Sequence, residues 1–287
     1  MLSTSLCNAP AHRRPGAGAW ASATTLALAT MLFSNAGAAT YFVDNQSPTC
    51  SASGPGIETQ PYCTITAAVA AHKGPGVTIV VKPGVYRELI TIPASGTQDA
   101  PYVIRADGPG VVLEGADDFS SEGLWSQPGP AIFPGGHDSQ AVDHAWLASE
   151  VTWQPNQVFV NGRRLAPSMD LPGRLPVDAF TWVQGEGLYV NLDGGNPGQG
   201  EILIGRRANG FRMTGKSWVR VEGFEIRRVE DAAIGLFTAC SDIAIVGNRI
   251  SLCESYGIKT VGGLRILLEG NSVSESNYHG IGLTGGA

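Results

Sequence analysis

The sequence predicts an all-β protein built as a parallel β-helix, a solenoid in which each coil of chain stacks on the previous one. Composition favours many short strands and turns, because glycine occupies 38 of the 287 positions and charged residues make up only 15% of the chain. Ordinary globular domains contain about 7% glycine and about 25% charged residues. The third observation is an internal repeat with spacings of 24 and then 23 residues. A fixed period in the low twenties is typical of solenoids.

The repeat is marked by a glycine that recurs at Gly223, Gly247 and Gly270. Ten residues after each glycine a second match begins, in residues 233–236, 257–260 and 280–283. Within each unit apolar residues recur at a spacing of two, which is the period of a β-strand. Leucine-rich repeats have a similar period, but their sequence frame is absent. Each unit is therefore predicted to be one coil of a β-helix, with Asn248 and Asn271 stacked at one corner and bonded to the turn backbone.

Two upstream regions complete the predicted organisation. Residues 39–116 are predicted to form an N-terminal cap and the first coils, with a short helix that begins after Thr64 and covers the open apolar end of the solenoid. Residues 117–200 break the repeat and contain two β-hairpin signals. One is the Asn-Gly pair that begins at Asn161, and the other joins residues 181–183 to residues 188–192. We therefore expect an insertion with β-hairpins between the early and the late coils.

Residues 1–38 have the composition of an export signal. Arg13 and Arg14 precede an apolar run from Trp20 to Phe33, and small residues follow. A membrane-spanning helix needs about 20 apolar residues, which this run does not reach. We therefore expect cleavage before residue 39 and a secreted or periplasmic protein. Cleavage removes two arginines and no acid from a chain of net charge −6. The mature protein is therefore more acidic than the full chain. We expect it to bind neither nucleic acid nor a membrane, because both are negatively charged.

Cys50 and Cys63 enclose a loop rich in Gly, Pro and Ser that has no signal for regular structure. In an oxidising compartment a disulfide between them would stabilise the fold by about 3 kcal/mol through loop closure. Zinc binding is disfavoured, because the loop contains neither a CxxC motif nor a histidine. The sequence therefore predicts a Cys50–Cys63 disulfide.

Five short motifs in the first half of the chain resemble the N-terminal part of secreted right-handed parallel β-helix proteins. They are Tyr41-Phe-Val-Asp44, Gln60-Pro-Tyr-Cys-Thr-Ile65, Lys82-Pro-Gly-Val-Tyr-Arg-Glu88, Ala100-Pro-Tyr-Val-Ile-Arg105 and Val112-Leu-Glu-Gly115. With the repeats, they make the chain similar to the pectin-lyase-like superfamily, and most similar to its chondroitinase B and alginate lyase type. The resemblance covers about residues 41–116 and 201–287, and it is far more specific for the fold than for the reaction.

The resemblance implies a secreted, right-handed β-helix protein whose partner is an acidic polysaccharide. It also implies a lyase that cleaves uronate polymers by β-elimination, assisted by Ca²⁺ in some members. Such alginate lyases carry a Lys followed by a Ser, with an Asn four residues after the Lys. Only the Lys is present here, as Lys259. The Asn-Thr-Asp and Gly-His-Gly motifs of polygalacturonases are absent, so hydrolysis by that route is disfavoured. A non-catalytic glycan-binding or surface structural protein on the same scaffold is the alternative.

The repeat frame nominates three candidate catalytic residues. Strand alternation points Lys259 outward, between glycines at the equivalent positions of the neighbouring coils, which leaves an open strip where a sugar ring can approach. Lyase chemistry on a uronate needs a cation to neutralise the carboxylate and a base to remove a proton. Lys259 suits either role, and Tyr256 or His279, which share one position in consecutive coils, suits the second. A solvated surface lysine and a turn histidine are the alternative interpretation.

Basic residues concentrate locally even though the whole chain is acidic. Residues 201–228 contain seven Lys or Arg side chains against three Glu. Arginine pairs with carboxylates in a fork, so we expect this strip to bind a polyanionic glycan through Arg220, Arg227, Arg228 and, in a later coil, Arg265. Solvated coil edges are the alternative, because exposed ion pairs contribute little to stability.

Residues 201–287 are predicted to hold the repeat coils. The last coil stops at the corner where a further strand would begin, and terminal coils need a cap for solubility. We therefore expect an incomplete solenoid here, a longer parent chain, and a monomer when the chain is full length.

Overall fold

The computed structural model describes residues 38–128 and 144–285, and its regular structure is almost entirely β-strand. All but the last residue of the predicted export signal lies outside the described residues. Within these two ranges no helix is both long enough and apolar enough to cross a membrane.

The first part of the chain forms a helix and the strands of the first coils. In chain order these elements are β1 Ala39–Val43, α1 Ile65–Ala71, β2 Val77–Val81, β3 Gly84–Tyr86, β4 Ile90–Thr91, β5 Tyr102–Ala106 and β6 Val111–Glu114.

The next strands belong to an insertion whose pairing is mostly antiparallel. They are β7 Ala116–Asp118, β8 Ala145–Ala148, β9 Val158–Val160, β10 Arg163–Arg164, β11 Ala166–Pro167, β12 Ala179–Val183, β13 Gly187–Asn191 and β14 Ile202–Gly205. The hairpin predicted at Asn161 is the β9–β10 pair, and the second predicted hairpin is the β12–β13 pair. Both hairpin predictions are confirmed.

The last part of the chain returns to regular coils. Its strands are β15 Asn209–Thr214, β16 Val219–Glu222, β17 Glu225–Arg227, β18 Ala232–Phe237, β19 Ala244–Val246, β20 Arg249–Ser251, β21 Tyr256–Val261, β22 Leu267–Glu269, β23 Ser272–Ser274 and β24 His279–Thr284.

Three parallel sheets run along the solenoid, and each coil from β2 onward contributes one strand to each sheet. Sheet A has the order β1-β2-β5-β16-β19-β22, sheet B the order β3-β6-β17-β20-β23, and sheet C the order β4-β15-β18-β21-β24. The three matching glycine-centred segments of the repeat align in this register. The predicted parallel β-helix is therefore confirmed.

The helix α1 lies against the first strands of sheets A and C. It begins after Thr64, whose hydroxyl oxygen accepts a hydrogen bond from the Ala67 N–H at 3.2 Å. The Glu88 carboxylate accepts two more N–H groups of the first turn, which would otherwise have no partner. The helix packs on β1, β2 and β4, and its buried side chains join the main core: Ile65, Ala68 and Val69.

Each late coil turns three times, and every corner contains at least one residue in the left-handed backbone conformation. Between sheets A and B these residues are the repeat glycines, with φ of 80°, 63° and 64°. The other corners also place residues with side chains in this conformation, which costs about 1 kcal/mol or more each relative to glycine. Between sheets B and C they are Arg228, Leu252 and Glu275, and between sheets C and A they include Trp218, Asp242 and Arg265.

A ladder of asparagines closes the corner between sheets A and B. Asn248 Oδ1 accepts the Phe224 N–H at 3.0 Å, and Asn271 Oδ1 accepts the Asn248 N–H at the same distance. The two amide groups donate to the carbonyls of Val221 and Ile245. The predicted stacking of these asparagines on the turn backbone is confirmed.

The cysteines follow the predicted pattern in the described part of the chain. Cys50 and Cys63 form a disulfide, which confirms the prediction. Cys240 and Cys253 are both buried and both free thiols.

Candidate functional site

The three predicted catalytic residues lie close together on the outer face of sheet C. Lys259 of β21 is in register with Gly235 of β18 and Gly282 of β24, as predicted. Its Nζ atom lies 3.4 Å from Asp231 Oδ1 and 4.9 Å from the centroid of the Tyr256 ring. A partly buried lysine is thus held between a carboxylate and an aromatic face.

The glycines beside Lys259 do not leave an open strip, so that part of the prediction is wrong. A β-carbon at Gly235 would lie 2.5 Å from the Phe237 ring, and one at Gly282 would lie 2.5 Å from the Tyr256 ring. The two rings fill the space above the backbone, and glycine is needed there because any side chain would collide with them.

A cluster of aromatic rings continues from Tyr256 into the last described coil. The Tyr256 centroid lies 5.4 Å from that of Tyr278 and 5.6 Å from that of His279. The Tyr278 residue is 65% exposed. On the other side, Arg212 of β15 is in register with Gly235, and its guanidinium lies 5.1 Å from the Phe237 centroid. We call this surface the sheet C patch, defined as Arg212, Phe237, Tyr256, Lys259, Tyr278 and His279.

The four predicted substrate-binding arginines do not form one strip. Arg227 and Arg228 both donate to Glu114 Oε2 at 2.8 Å, and the Glu114 side chain is 1% exposed. The Arg228 side chain is 8% exposed, so it is not on a surface that a ligand can reach. These two arginines neutralise a buried carboxylate beside sheet B.

Arg220 and Arg265 lie in a separate groove on sheet A. The groove has a volume of about 290 Å³ and also includes Trp218, Asp242 and Ala244. Arg220 donates to Glu222 at 2.5 Å, and Arg265 binds Asp242 through two hydrogen bonds of 2.6 and 2.7 Å. Both charges are therefore compensated by neighbouring carboxylates, and the role of these arginines in substrate binding stays a prediction.

Arg212 differs from the other basic residues of this region. Arg206 and Arg207 pair with Asp117, and Lys216 donates to a backbone carbonyl. Among residues 38–128 and 144–285, Arg212 forms no ion pair, and its residue is exposed. It is the basic side chain of this region that remains available to an anion.

A second group of candidate side chains lies at the corner between sheets B and C, where no sequence motif marks them. Because β18, β21 and β24 are in register, Glu230, Glu254 and Asn277 occupy the same position in consecutive coils. We call them the corner column. Asn277 Nδ2 donates to Glu254 Oε2 at 2.8 Å. The corner column adjoins the sheet C patch. Glu230 is followed directly by Asp231, whose carboxylate bonds to Lys259 of the patch.

The insertion packs against the corner column. The Asn156 N–H donates to Glu230 Oε2 at 2.5 Å, and Gln157 Nε2 donates to the Val229 carbonyl at 2.7 Å. Arg164 of β10 bonds to Gln157 Oε1 at 3.0 Å and to the side chain of Asn277. These bonds bring an arginine from the insertion close to the carboxyl group of Glu254.

Burial changes the acidity of both glutamates. It raises the pKa of Glu230 to about 7, and the neighbouring Glu254 charge adds to the effect while bonds from Asn156 and Gln157 oppose it. Burial also raises the pKa of Glu254, against the opposing effects of Arg164 and Asn277. Glu230 Oε1 is buried and, within residues 38–128 and 144–285, has no hydrogen-bond partner. An unpaired buried oxygen strongly disfavours the ionised form.

A cleft of about 430 Å³ opens beside the corner column, which we call the corner pocket. Glu254 lies in its wall on the side of the β-helix, and the insertion forms the other walls. These walls include Asn156, Ser168, Met169 and Trp182. The Trp182 indole N–H is bonded to the Val151 carbonyl at 2.9 Å, so its position is fixed from behind.

Within residues 38–128 and 144–285, no three His, Cys, Asp or Glu side chains are placed to hold one metal ion. The calcium assistance implied by the family resemblance stays a prediction.

The fold and the comparisons together define a right-handed parallel β-helix protein. Residues 178–287 match the family model described as a right handed beta helix region. The predicted resemblance to right-handed β-helix proteins is confirmed at the level of the fold. The closer resemblance to the chondroitinase B and alginate lyase type stays a prediction. A search of curated proteins finds no match.

Three solved structures are similar to this chain. XylC in complex with xylose matches with a TM-score of 0.59 at 16% identity, over 82% of this chain and 53% of XylC. The chain thus spans about half the length of XylC. A glycoside hydrolase matches with a TM-score of 0.46 at 12% identity over 78% of this chain and 68% of its own. A lacto-N-biosidase from Eubacterium ramulus matches with a TM-score of 0.44 at 14% identity. The match covers 85% of this chain and 42% of the lacto-N-biosidase.

Proposed function

We propose that the protein is a polysaccharide-active β-helix protein that binds an acidic glycan across the sheet C patch. The observation that carries the proposal is the row of outward positions Arg212, Gly235 and Lys259. The two cations are two strand spacings apart, or about 9.6 Å, and the Phe237 ring lies between them. Spaced cations suit the spaced carboxylates of a polyuronate, and aromatic faces cover the apolar faces of sugar rings.

Two further observations support a glycan ligand. The exposed Tyr278 ring extends the patch beyond Lys259, and aromatic side chains with a polar end are common at binding surfaces. XylC, which shares the fold, is seen with a bound sugar. Its likeness to this chain concerns the fold alone, so the patch is the main support for the proposal.

Binding is tested by titrating alginate, pectate and chondroitin into the exported protein, with a neutral polysaccharide for comparison. We expect binding of at least one acidic polymer that weakens as salt is raised. Arg212→Met and Lys259→Met should each weaken it about tenfold. Lys73→Met removes an exposed lysine beyond α1 and serves as the matched control. Equal binding of the neutral polymer, or wild-type affinity in both patch variants, contradicts the proposal.

The predicted reaction on this patch is β-elimination. Lys259 would neutralise the uronate carboxylate, and Tyr256 or His279 would remove the proton at C5 while the bond from C4 to the glycosidic oxygen breaks. The support is that these three side chains lie within one patch. Elimination leaves an unsaturated uronate that absorbs ultraviolet light. Appearance of this absorbance, and its loss in Lys259→Met, is the expected result, whereas binding without any product supports the non-catalytic alternative.

We also propose that the protein is exported. The segment of residues 1–38 and the Cys50–Cys63 disulfide support this, because disulfides persist in oxidising compartments. Fractionation of cells that express the full chain should recover the protein outside the cytoplasm with residue 39 at its N-terminus. A cytoplasmic protein that retains residues 1–38 contradicts the proposal.

A further inference from the structure

We infer that the groove on sheet A binds one uncharged pyranose sugar, as a second glycan site on a different face from the sheet C patch. This sheet A groove is the cavity of about 290 Å³ that Arg220 and Arg265 help to line. The inference does not rest on the function proposed for the patch, because it concerns other residues and a ligand without charge.

The register of sheet A creates the groove. Arg220 pairs with Ala244, and Ala244 pairs with Leu267, across three consecutive strands. These side chains point outward, because Val221 and Ile245 beside them in the strands are fully buried. The small Ala244 side chain therefore leaves a depression between two long ones. Since adjacent strands are about 4.8 Å apart, Arg220 and Leu267 start about 9.6 Å apart.

The corner between sheets C and A supplies a wall of this depression. Trp218, Asp242 and Arg265 occupy the same position in consecutive coils, two residues before the paired strand residues. All three adopt the left-handed backbone conformation, so their side chains leave the corner in the same direction. All three also line the groove. The wall thus consists of an aromatic ring next to an ion pair.

The loop before β5 completes the lining with Gln98 and Pro101, and it is fixed to the same corner. The Tyr102 N–H donates to the Trp218 carbonyl at 2.9 Å. A β-carbon at Gly96 would lie 2.5 Å from the Trp218 carbonyl oxygen, so the close approach of the loop requires glycine. The groove is therefore formed before a ligand arrives, as small-molecule sites usually are.

Trp218 retains a hydrogen-bond donor that the other described tryptophans use within the fold. The indole N–H groups of Trp125, Trp146, Trp153 and Trp182 donate to backbone carbonyls at 2.7 to 3.0 Å. Within residues 38–128 and 144–285, the indole N–H of Trp218 has no acceptor. An aromatic ring with a free polar edge suits a binding surface, because the ring covers apolar atoms while the edge forms a bond.

Both arginines also retain donors. Arg220 bonds to Glu222 through Nε, and Arg265 bonds to Asp242 through Nε and Nη2. In the described part of the chain, both terminal amino groups of Arg220 and the Nη1 group of Arg265 have no acceptor. The Arg265 side chain is 68% exposed. Each guanidinium is matched by one carboxylate, so the groove offers N–H donors without a net charge that would attract a polyanion.

This lining fits a pyranose, which has C–H groups on its faces and hydroxyl groups around its edge. Ala244, Leu267 and Trp218 offer apolar surface, and the free N–H groups suit the hydroxyl oxygens. The volume of about 290 Å³ lies at the lower end of the range of about 300–1,000 Å³ for small-molecule sites, which suits one sugar residue. So few contacts give weak binding, with a dissociation constant on the order of 1 mM. A neutral polymer would therefore bind less tightly than an acidic one that spans the patch.

The test uses the whole protein labelled with fluorotryptophan, so that each tryptophan gives its own fluorine resonance. Loss of one resonance in Trp218→Phe identifies that of Trp218. Glucose, galactose, mannose, xylose and their short oligomers are titrated singly, with glucuronate as the charged comparison. We expect at least one uncharged sugar to shift the Trp218 resonance in a saturable way. The shift should be the same at low and high salt, because the groove has no net charge.

Variants establish which groups bind the sugar. Arg220→Met and Arg265→Met should each weaken this binding about tenfold. Arg249→Met, which removes an exposed arginine on sheet B, should leave it unchanged, and so should Arg212→Met combined with Lys259→Met. Cooperative melting checks that each variant folds. Arg220→Met decides the matter if Arg265→Met does not fold, since Arg265 also pairs with a buried carboxylate.

The outcomes separate this inference from the proposed function. A saturable shift that depends on Arg220 and persists in the double patch variant upholds the inference, whatever the acidic polymers do. The inference is overturned if glucuronate alone, or no sugar at all, shifts the Trp218 resonance. Wild-type affinity in Arg220→Met, or loss of the shift in the double patch variant, also overturns it. Binding of acidic polymers that depends on Arg212 and Lys259 upholds the proposed function in each of these cases.

Discussion

Arg228 donates to Glu114 at 2.8 Å in an ion pair whose two side chains are both buried. The sequence suggested a substrate-binding role for Arg228, whereas the structure gives it a partner 114 positions earlier in the chain. The bond joins a corner of a late coil to the end of β6 in an early coil. The pair thus holds together coils on either side of the insertion.

We predict that breaking this pair unfolds the protein more readily than removing its exposed neighbour. Arg228→Met should lower the free energy of unfolding by about 2–3 kcal/mol, because it removes the buried partner of Glu114 and leaves that carboxylate with only the partly exposed Arg227. Arg227→Met should cost much less, since Arg227 is more exposed and leaves the Arg228–Glu114 bond in place. Urea denaturation measures both. A double variant, Glu114→Gln with Arg228→Met, should recover part of the loss, and equal costs for the two single variants would contradict the prediction.

Glu230 should make the stability of the protein depend on pH. Its pKa is about 7 in the folded state and about 4.5 in the unfolded chain, so the folded state holds the proton more tightly. Below pH 4.5 both states are protonated and no cost arises. The unfolding free energy then falls as pH rises to 7, by up to about 3 kcal/mol, and stays lower above that.

Thermal melting between pH 4.5 and 8 checks this prediction. The Glu230→Gln variant should lose less stability over that interval than the wild type, while Glu275→Gln should follow the wild type. Parallel curves for the wild type and Glu230→Gln would show that the carboxyl group titrates normally.

The asparagine ladder should contribute unequally along its length. Asn248→Ala leaves the buried Phe224 N–H without its acceptor, and we expect a loss of about 2–3 kcal/mol of unfolding free energy. Asn271→Ala should cost about 1 kcal/mol, because Asn271 is less buried. Asn248→Asp places a buried carboxyl oxygen against the carbonyl oxygens that the amide group now donates to, so it should cost at least as much as Asn248→Ala. Denaturant midpoints of the three variants give the order, and a reversed order would contradict the assignment.

The disulfide should stabilise the loop near the N-terminal end of the solenoid. Replacing Cys50 and Cys63 together by serine should lower the free energy of unfolding by about 3 kcal/mol, and proteases should cleave residues 50–63 faster. Mass spectrometry of the exported wild type should find the two residues linked, and free thiols at both would refute the pairing. Replacing the buried free Cys253 by alanine is the control, since it should leave this loop unchanged.

Local patterns in the sequence are sufficient to predict most of the fold. The repeat glycines at Gly223, Gly247 and Gly270 mark one corner of each coil, because a left-handed turn without a side chain favours glycine. Residues between these glycines alternate in and out at a spacing of two, which fixes the register that brings Lys259 beside Gly235. These signals lie within one coil, so they can be read without knowing the tertiary structure.

The other two corners have no glycine that recurs in every coil, because left-handed positions there also carry ordinary side chains such as Arg228 and Asp242. The strain at these positions is tolerated only because stacked coils hold the backbone in place. Contacts between coils also decide which arginines are paired and which are free. Composition indicates a basic strip, but whether a guanidinium is free or paired depends on carboxylates from distant coils, such as Glu114.

The sequence by itself therefore determined the β-helix, its register, its hairpins and its disulfide, because each depends on residues close together in the chain or on a strict period. Only the tertiary structure brought out the corner pocket and the pair Glu230 and Glu254. Asn156, which bonds Glu230, lies 74 positions earlier in the chain. The pKa of a glutamate depends on how deeply it is buried, and that burial exists only when the insertion packs against the corner.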